Sequence, residues 1–357
     1  MYRIFQKSNL LYLALLVLVA VPLFAGLGSF TIRLWDESRL AANAVEMYEG
    51  GNPWVTYFNG APDMWNTKPP LMIWLQVASM KLWGVNEWAL RCPSAVAALC
   101  TFILLFRLIQ QRTGSLLWAA LTVIVLVTTR GYIDLHVTRT GDYDALLILW
   151  TTIGGLSVWK YTETQSGRWL YTAAIGFGLA VLTKSIAGLL FLPAIAIYLL
   201  LSGQLRDLLS RRDTYLAILV FLLLALPYYF IREHYNPGYL AAVKENELGG
   251  RFLEAKEANA GHWSFYLSWL TGRDFLFWFA ALPFGIWLGW KQRHSRNGRL
   301  VLFAAITGLG FLFLISLAKT KLGWYDAPIY PYLAIVSAFA IYRAVQYLYT
   351  SRNIRPV

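Results

Sequence analysis

The stretch Phe30-Thr-Ile-Arg33-Leu-Trp-Asp36-Glu37-Ser38-Arg39 follows directly on an apolar run from Asn9 to Phe30. The run is long enough to cross a bilayer, which takes about 20 apolar residues. Just beyond it stand two adjacent carboxylates between two arginines. A carboxylate held at the membrane surface, with cations nearby, can act on a head group that the bilayer presents. The pairing therefore points toward an enzyme of lipid-linked substrates. The run reads as an uncleaved anchor: its core is long for a secretory signal, no A-x-A site follows, and Asp36-Glu37 comes immediately after it.

Working outward, the pattern of that first run recurs. Hydrophobic residues make up 58% of the chain and charged residues 14%, with mean hydropathy +0.49, the balance of a polytopic membrane protein rather than a soluble domain. About ten spans are expected, at 9–30, 89–108, 115–133, 144–161, 169–183, 185–201, 214–231, 275–290, 299–317 and 326–345. The weakest is 169–183, which is short and contains Gly176 and Gly178. Leu71–Trp83 is apolar but too short to cross, so it is expected as an interfacial or re-entrant helix.

Charge placement supports this count. With the N-terminus inside, the inner loops collect 16 of the 31 basic residues but only Glu163, Asp207 and Asp213 among the 19 acidic ones. Short loops such as Lys291-Gln-Arg293-His-Ser-Arg296 then follow the positive-inside rule. The net charge of +12 is thus a topology signal, with membrane lipids and no nucleic acid as the partner it implies. Both termini are expected in the cytoplasm. Cys92 and Cys100 sit eight residues apart on one expected helix, about 12 Å in rise, too far for a disulfide. The chain is expected to form one transmembrane domain over 1–357, without a separate C-terminal soluble domain.

Two long segments, 31–88 and 232–274, fall on the outer side, so the active site is expected there. In the first, Asp36 either caps a helix or acts as a base. Ala41, Ala42, Val45 and Met47 are expected on one face of that helix and Arg39, Asn43 and Glu46 on another. Asn66-Thr67-Lys68-Pro69-Pro70 starts the 71–83 helix, and Lys68 either snorkels or binds. The outer turn Arg139-Thr-Gly-Asp142-Tyr-Asp144 spaces two carboxylates at i, i+2. Such a pair either caps the next helix or holds a cation or a sugar hydroxyl. Lys184 joins two apolar helices and can pair with carboxylates. The second outer segment contributes Arg251 and His262, the latter a candidate metal ligand or hydrogen bonder. In the last outer turn, Lys319, Lys321 and Tyr325 can grip a phosphate or simply be solvated. The chain has no P-loop, no G-x-G-x-x-G and no G-x-S-x-G elbow, as expected of a chain whose donor is carried on lipid.

Taken in order, Trp35-Asp36-Glu37-Ser38-Arg39, Gly50-Gly51-Asn52-Pro53, Lys68-Pro69-Pro70, Gly84-Val85-Asn86-Glu87, Arg91-Cys-Pro93, Asp142-Tyr-Asp144, Leu182-Thr183-Lys184, His262-Trp-Ser-Phe-Tyr266 and Lys321-Leu-Gly-Trp-Tyr325 resemble one family. It is the GT-C integral-membrane glycosyltransferases of the protein-mannosyltransferase and lipid A aminoarabinose-transferase (ArnT-like) type. The resemblance implies an all-α GT-C fold and transfer, in an inverting reaction, of a sugar from a polyprenyl-phosphate donor to a lipid, glycan or protein acceptor. The expected location is the outer face of a bacterial inner membrane. It implies Asp36 as base, Asp144 as second acid and Lys184 as its partner. Lys68, Arg39, Tyr325 and Lys321 would bind the donor phosphate, and Glu37, Asp142 and Arg251 would contact substrate. His262 would contribute to a metal, and a divalent cation is left open because Thr67 stands where the lipid A transferase has an acid. The competing reading is a transporter or flippase with Asp36, Asp144 and Lys184 along an ion path. Charges clustered at helix ends on one face favour the enzyme.

Overall fold

A computed structural model describes residues 2–134, 136–250 and 259–353. Among these the chain is almost wholly helical. The exception is one short hairpin, Tyr57–Phe58 against Ala61–Pro62. In order come α1 (Tyr2–Phe24), α2 (Asp36–Tyr48), α3 (Leu71–Trp83), α4 (Glu87–Thr113), α5 (Leu116–Val127), α6 (Arg130–Ile133), α7 (Asp144–Thr164) and α8 (Arg168–Lys184). A single 3-10 turn (Ser185–Leu189) leads to α9 (Leu192–Leu201), α10 (Leu205–Ser210), α11 (Arg212–Ala225), α12 (Pro227–Tyr235) and α13 (Tyr239–Val243). A π-helical turn spans Lys244–Gly250. The chain ends in α14 (Phe265–Trp269), α15 (Leu276–Phe279), α16 (Ala281–Lys291), α17 (Arg296–Leu317) and α18 (Tyr330–Asn353).

Five helical stretches among the described residues are long and apolar enough to cross a membrane: Glu87–Thr113, Arg168–Leu189, Arg212–Tyr235, Arg296–Leu317 and Ala327–Ser351. The other expected spans are helical too, but several are shorter than a full crossing. Leu116–Val127 and Leu192–Leu201 are such cases, and the expected 275–290 span breaks into α15 and α16. The expected 169–183 span is longer than its sequence suggests. Its glycines serve close packing, since a Cβ at Gly176 would lie 2.8 Å from the backbone nitrogen of Gly154 on α7. α7 is enclosed by protein along its length, which lets it carry the buried Thr151, Thr152, Ser157 and Thr162.

Local signals set the helix ends. Asn86 accepts from the Ala89 amide and starts α4; Gly114, at φ 70°, ends it. Ser115 and Ser295 cap α5 and α17 in the same way. α2 and α3 lie against the bundle through a common apolar cluster of Leu40, Ala41, Ala44, Met47, Met72, Ile73 and Met80, joined by Ala145, Leu146 and Leu149 of α7. The buried face of α2 thus differs from the expected one. Asn43 is inside, donating to the Tyr57 carbonyl at 2.7 Å and to Asp63 Oδ2 at 3.0 Å. One polar residue of α3, Gln76, is buried because its amide donates to the carbonyl of Gly141 at 2.7 Å. That bond fixes the turn that carries Asp142 and Asp144.

Candidate active site

Four elements converge at one end of the bundle. α2 begins at Asp36 and α7 at Asp144, while α8 ends at Lys184. Lys68 precedes the Pro69-Pro70 entry to α3. Asp36, Lys68, Asp142, Asp144, Lys184 and Tyr325 line one small chamber. Residues that the sequence scatters over nearly 290 positions are therefore neighbours. Lys68, Asp144, Lys184 and Tyr325 also border a cavity of about 210 Å³ whose remaining wall is mostly apolar, including Leu147, Ile186, Leu190, Phe311 and Ile315.

The central contact is Lys184 Nζ donating to Asp144 Oδ1 at 2.6 Å, with both side chains largely buried. Ser185, at φ 49°, turns the chain sharply just after this lysine. The ammonium also lies 5.5 Å from the Tyr325 ring centre, a cation–π distance. Lys68 Nζ is 3.6 Å from Glu247 Oε1 and under 6 Å from the rings of Trp65 and Tyr143.

Other expected site residues have protein partners. Glu37 is buried and accepts from Arg91 Nε at 2.6 Å, Arg91 Nη2 at 3.0 Å, the Gly141 amide at 2.9 Å and the Arg33 amide at 2.8 Å. Burial raises its pKa, but these donors outweigh burial and hold it below the ordinary carboxylate value. Both of its oxygens accept from protein donors and anchor the start of α2. Arg39 grips Asp63 with two parallel bonds of 2.7 and 2.9 Å and lies 3.9 Å from the Phe58 ring centre. Two of its nitrogens are thereby committed to the loop. Lys321 is buried, with Nζ donating to the carbonyls of Ile315, Ser316 and Ala318 at 3.1, 2.6 and 2.5 Å. It caps the open C-terminal end of α17. Arg139 likewise donates to the Pro22 and Ala25 carbonyls beside α1. Arg251 lies outside the described residues.

His262 is exposed, with Nδ1 on the Ser264 hydroxyl at 2.8 Å, and it belongs to no metal-ligand group among the described residues. The imidazole that does approach the carboxylates is His136, which the sequence reading passed over. Ligand atoms of Asp36, His136 and Asp142 all lie within 4.8 Å of one another. The His136 ring stacks on Trp324 at 3.9 Å, and its Nδ1 is 3.6 Å from Asp142 Oδ2. Asp142 is buried and accepts from Thr140 Oγ1 at 2.5 Å. Burial, together with the charges of Asp36, Asp144 and Glu37, pushes its pKa well up. Two carboxylates and an imidazole are a donor set suited to a divalent cation, and a buried carboxyl among like charges is a place where a cation would relieve repulsion. The available signal was position: His136 stands six residues before Asp142 in the same turn before α7.

The chain as a whole is similar to known proteins. Residues 67–231 match the family described as dolichyl-phosphate-mannose-protein mannosyltransferase. The undecaprenyl phosphate-α-4-amino-4-deoxy-L-arabinose arabinosyl transferase 1 of Pseudomonas fluorescens is 26% identical over 88% of this chain and 56% of its own length. An uncharacterised protein of Aquifex aeolicus is 28% identical over 92% of the chain and 63% of its own length. The crystal structure of ArnT from Cupriavidus metallidurans bound to undecaprenyl phosphate superposes with a TM-score of 0.81 at 22% identity, over 93% of this chain and 60% of that one. The chain has the GT-C fold of these membrane proteins. The Archaeoglobus fulgidus oligosaccharyltransferase, with a TM-score of 0.61 at 13% identity over 96% of this chain and 51% of that one, shares the fold more distantly. The chain spans between about half and two thirds of the length of these relatives.

Proposed function

We propose that this chain transfers a sugar from a polyprenyl-phosphate donor to a lipid, glycan or protein acceptor, at the outer face of a bacterial inner membrane, with both termini in the cytoplasm. The observation that carries the reading is the junction of two environments. A chamber with Asp36, Lys68, Asp144, Lys184 and Tyr325 shares four of these residues with an adjoining, mostly apolar cavity bordered by the turn after α8 and by α17. A polyprenyl phosphate has the same two-part character. The relatives named above include an undecaprenyl-phosphate-sugar transferase and a structure holding undecaprenyl phosphate, which supports that class of donor.

In the reaction, the acceptor oxygen attacks the anomeric carbon as the bond from that carbon to the phosphate oxygen breaks. The electron pair leaves with the phosphate, and polyprenyl phosphate is the by-product. Lys68 and Lys184 face the growing negative charge and the Tyr325 hydroxyl is a further donor. Asp36, half-buried at the start of α2, takes the acceptor proton. Asp144 holds Lys184 in place. A divalent cation held by Asp36, His136 and Asp142 would supply Lewis-acid polarisation of the acceptor oxygen. A transport path is less well supported, because these charges gather at helix ends rather than along a span.

The test is mass spectrometry of lipids that co-purify with wild type and with Lys68→Ala. A polyprenyl phosphate, bare or sugar-bearing, that is depleted in the variant is the expected result. Ordinary phospholipid alone, unchanged by the variant, would sink the donor assignment.

A further inference from the structure

Glu247 is a carboxylate in the same cavity that the transfer step leaves unused. It sits in the π-helical turn Lys244–Gly250, a type of distortion often found at functional sites. Its side chain is 10% exposed, and Oε1 accepts from Thr67 Oγ1 at 3.1 Å while lying 3.6 Å from Lys68 Nζ. The second outer segment is fastened onto the first around this contact. The Tyr239 hydroxyl donates to the Thr67 carbonyl at 2.7 Å, and Arg232 donates to Thr56 Oγ1 at 2.9 Å and to the Asp63 carbonyl at 3.0 Å. Glu247 then lines the cavity beside Lys68, Asp144 and Lys184.

Two ammonium groups therefore face two carboxylates, and a phosphate that enters adds another negative charge. One carboxylate has to release its cation. Lys184–Asp144 is a direct bond of 2.6 Å between side chains 12% and 4% exposed, set at the ends of two packed helices. Lys68–Glu247, at 3.6 Å, is longer than a hydrogen bond, and Glu247 hangs from an irregular turn. Glu247 is the easier one to detach.

We propose that Glu247 is a displaceable counter-ion of Lys68 that sets the affinity for the lipid phosphate, yielding to the donor and returning to drive out the product. The proposal rests on the donor reading above. The donor phosphodiester carries one negative charge, whereas the released phosphomonoester carries about 1.5 to 2 at neutral pH. A neighbouring carboxylate therefore repels product more than donor. The residue biases the site against its own by-product, which would otherwise hold two lysines more tightly than the substrate does.

The test uses the full chain in lipid nanodiscs, titrated with undecaprenyl phosphate and, separately, with an undecaprenyl-phosphate sugar. Glu247→Gln keeps the size and the acceptor for Thr67, so the segment stays docked. Binding should tighten on the order of tenfold for undecaprenyl phosphate, the scale of one close charge pair, and less for the sugar-bearing lipid. KM should fall together with kcat as product release slows. Glu247→Asp, which keeps the charge, should stay near wild type, and an unchanged melting midpoint checks the fold. Equal or weaker binding of both lipids by Glu247→Gln, with wild-type binding intact, overturns the counter-ion role alone. Absence of binding by wild type overturns the donor reading and this proposal with it.

Discussion

Replacing Arg91 by Met should damage the protein more than its distance from the chemistry suggests. Arg91 and Glu37 are 2% and 0% exposed, so solvent does little to screen their attraction. The guanidinium also donates to the carbonyls of Leu27, Phe30 and Thr31 at 2.8, 2.8 and 3.0 Å. Those carbonyls lie between α1 and α2, so one side chain joins α4 to the segment that delivers Asp36. Removing one partner of a buried pair leaves an uncompensated charge and costs about 3–5 kcal/mol. The Glu37→Gln/Arg91→Met double variant should recover part of this, because a neutral amide can still accept from the Gly141 amide. The pH dependence follows from the same contacts. Glu37 is held below its ordinary value of 4.5, so its contribution is fully present above that pH and is lost as pH falls through the lower folded value. Wild type should therefore lose stability below about pH 4.5 more steeply than Glu37→Gln. The assay is the melting midpoint in detergent across pH, with sugar transfer measured alongside. A loss under about 1 kcal/mol for Arg91→Met, the scale of an exposed pair, with unchanged transfer, would refute the reasoning.

Other outcomes follow from the same geometry. Lys184→Met should destabilise by about 3–5 kcal/mol, because Asp144 is left buried and charged, and Asp144→Asn/Lys184→Met should regain stability but not transfer; recovery of transfer in the double variant would count against both as site residues. Asp63→Asn should loosen the 31–88 segment as much as Arg39→Ala does, since each removes one half of a bidentate pair; a donor KM that rises for Arg39→Ala but not for Asp63→Asn would tie Arg39 to the phosphate instead. If the reaction uses a divalent cation, His136→Ala should raise the concentration needed after chelation while His262→Ala should not; equal effects would contradict the Asp36–His136–Asp142 grouping.

Much of the helical, membrane-type fold was legible because long apolar runs mark its helices directly. Lengths were less so: α9 is short, α8 continues into a 3-10 turn, and 275–290 is broken, because packing against neighbouring helices decides where a helix ends. Of the residues lining the candidate chamber, Asp36, Asp144 and Lys184 stand at helix ends and Lys68 and Tyr325 in turns, where their order and spacing in the sequence marked them as candidates. Glu37, Arg39 and Lys321 looked equally suitable in one dimension. Their partners Arg91, Asp63 and the α17 carbonyls come from elsewhere in the fold or from a turn geometry that the sequence does not spell out. His136 and Glu247 were missed for the converse reason. Neither belongs to a motif, and each acquires meaning only when its loop folds back on the carboxylates or on Lys68.

The most direct test of the central claim is turnover of an undecaprenyl-phosphate sugar by purified wild type and by Asp36→Asn, followed as release of undecaprenyl phosphate in the presence of membrane acceptor. Wild type should release undecaprenyl phosphate, and Asp36→Asn should retain lipid binding and an unchanged melting midpoint with release lost. Release by Asp36→Asn at the wild-type rate would contradict it.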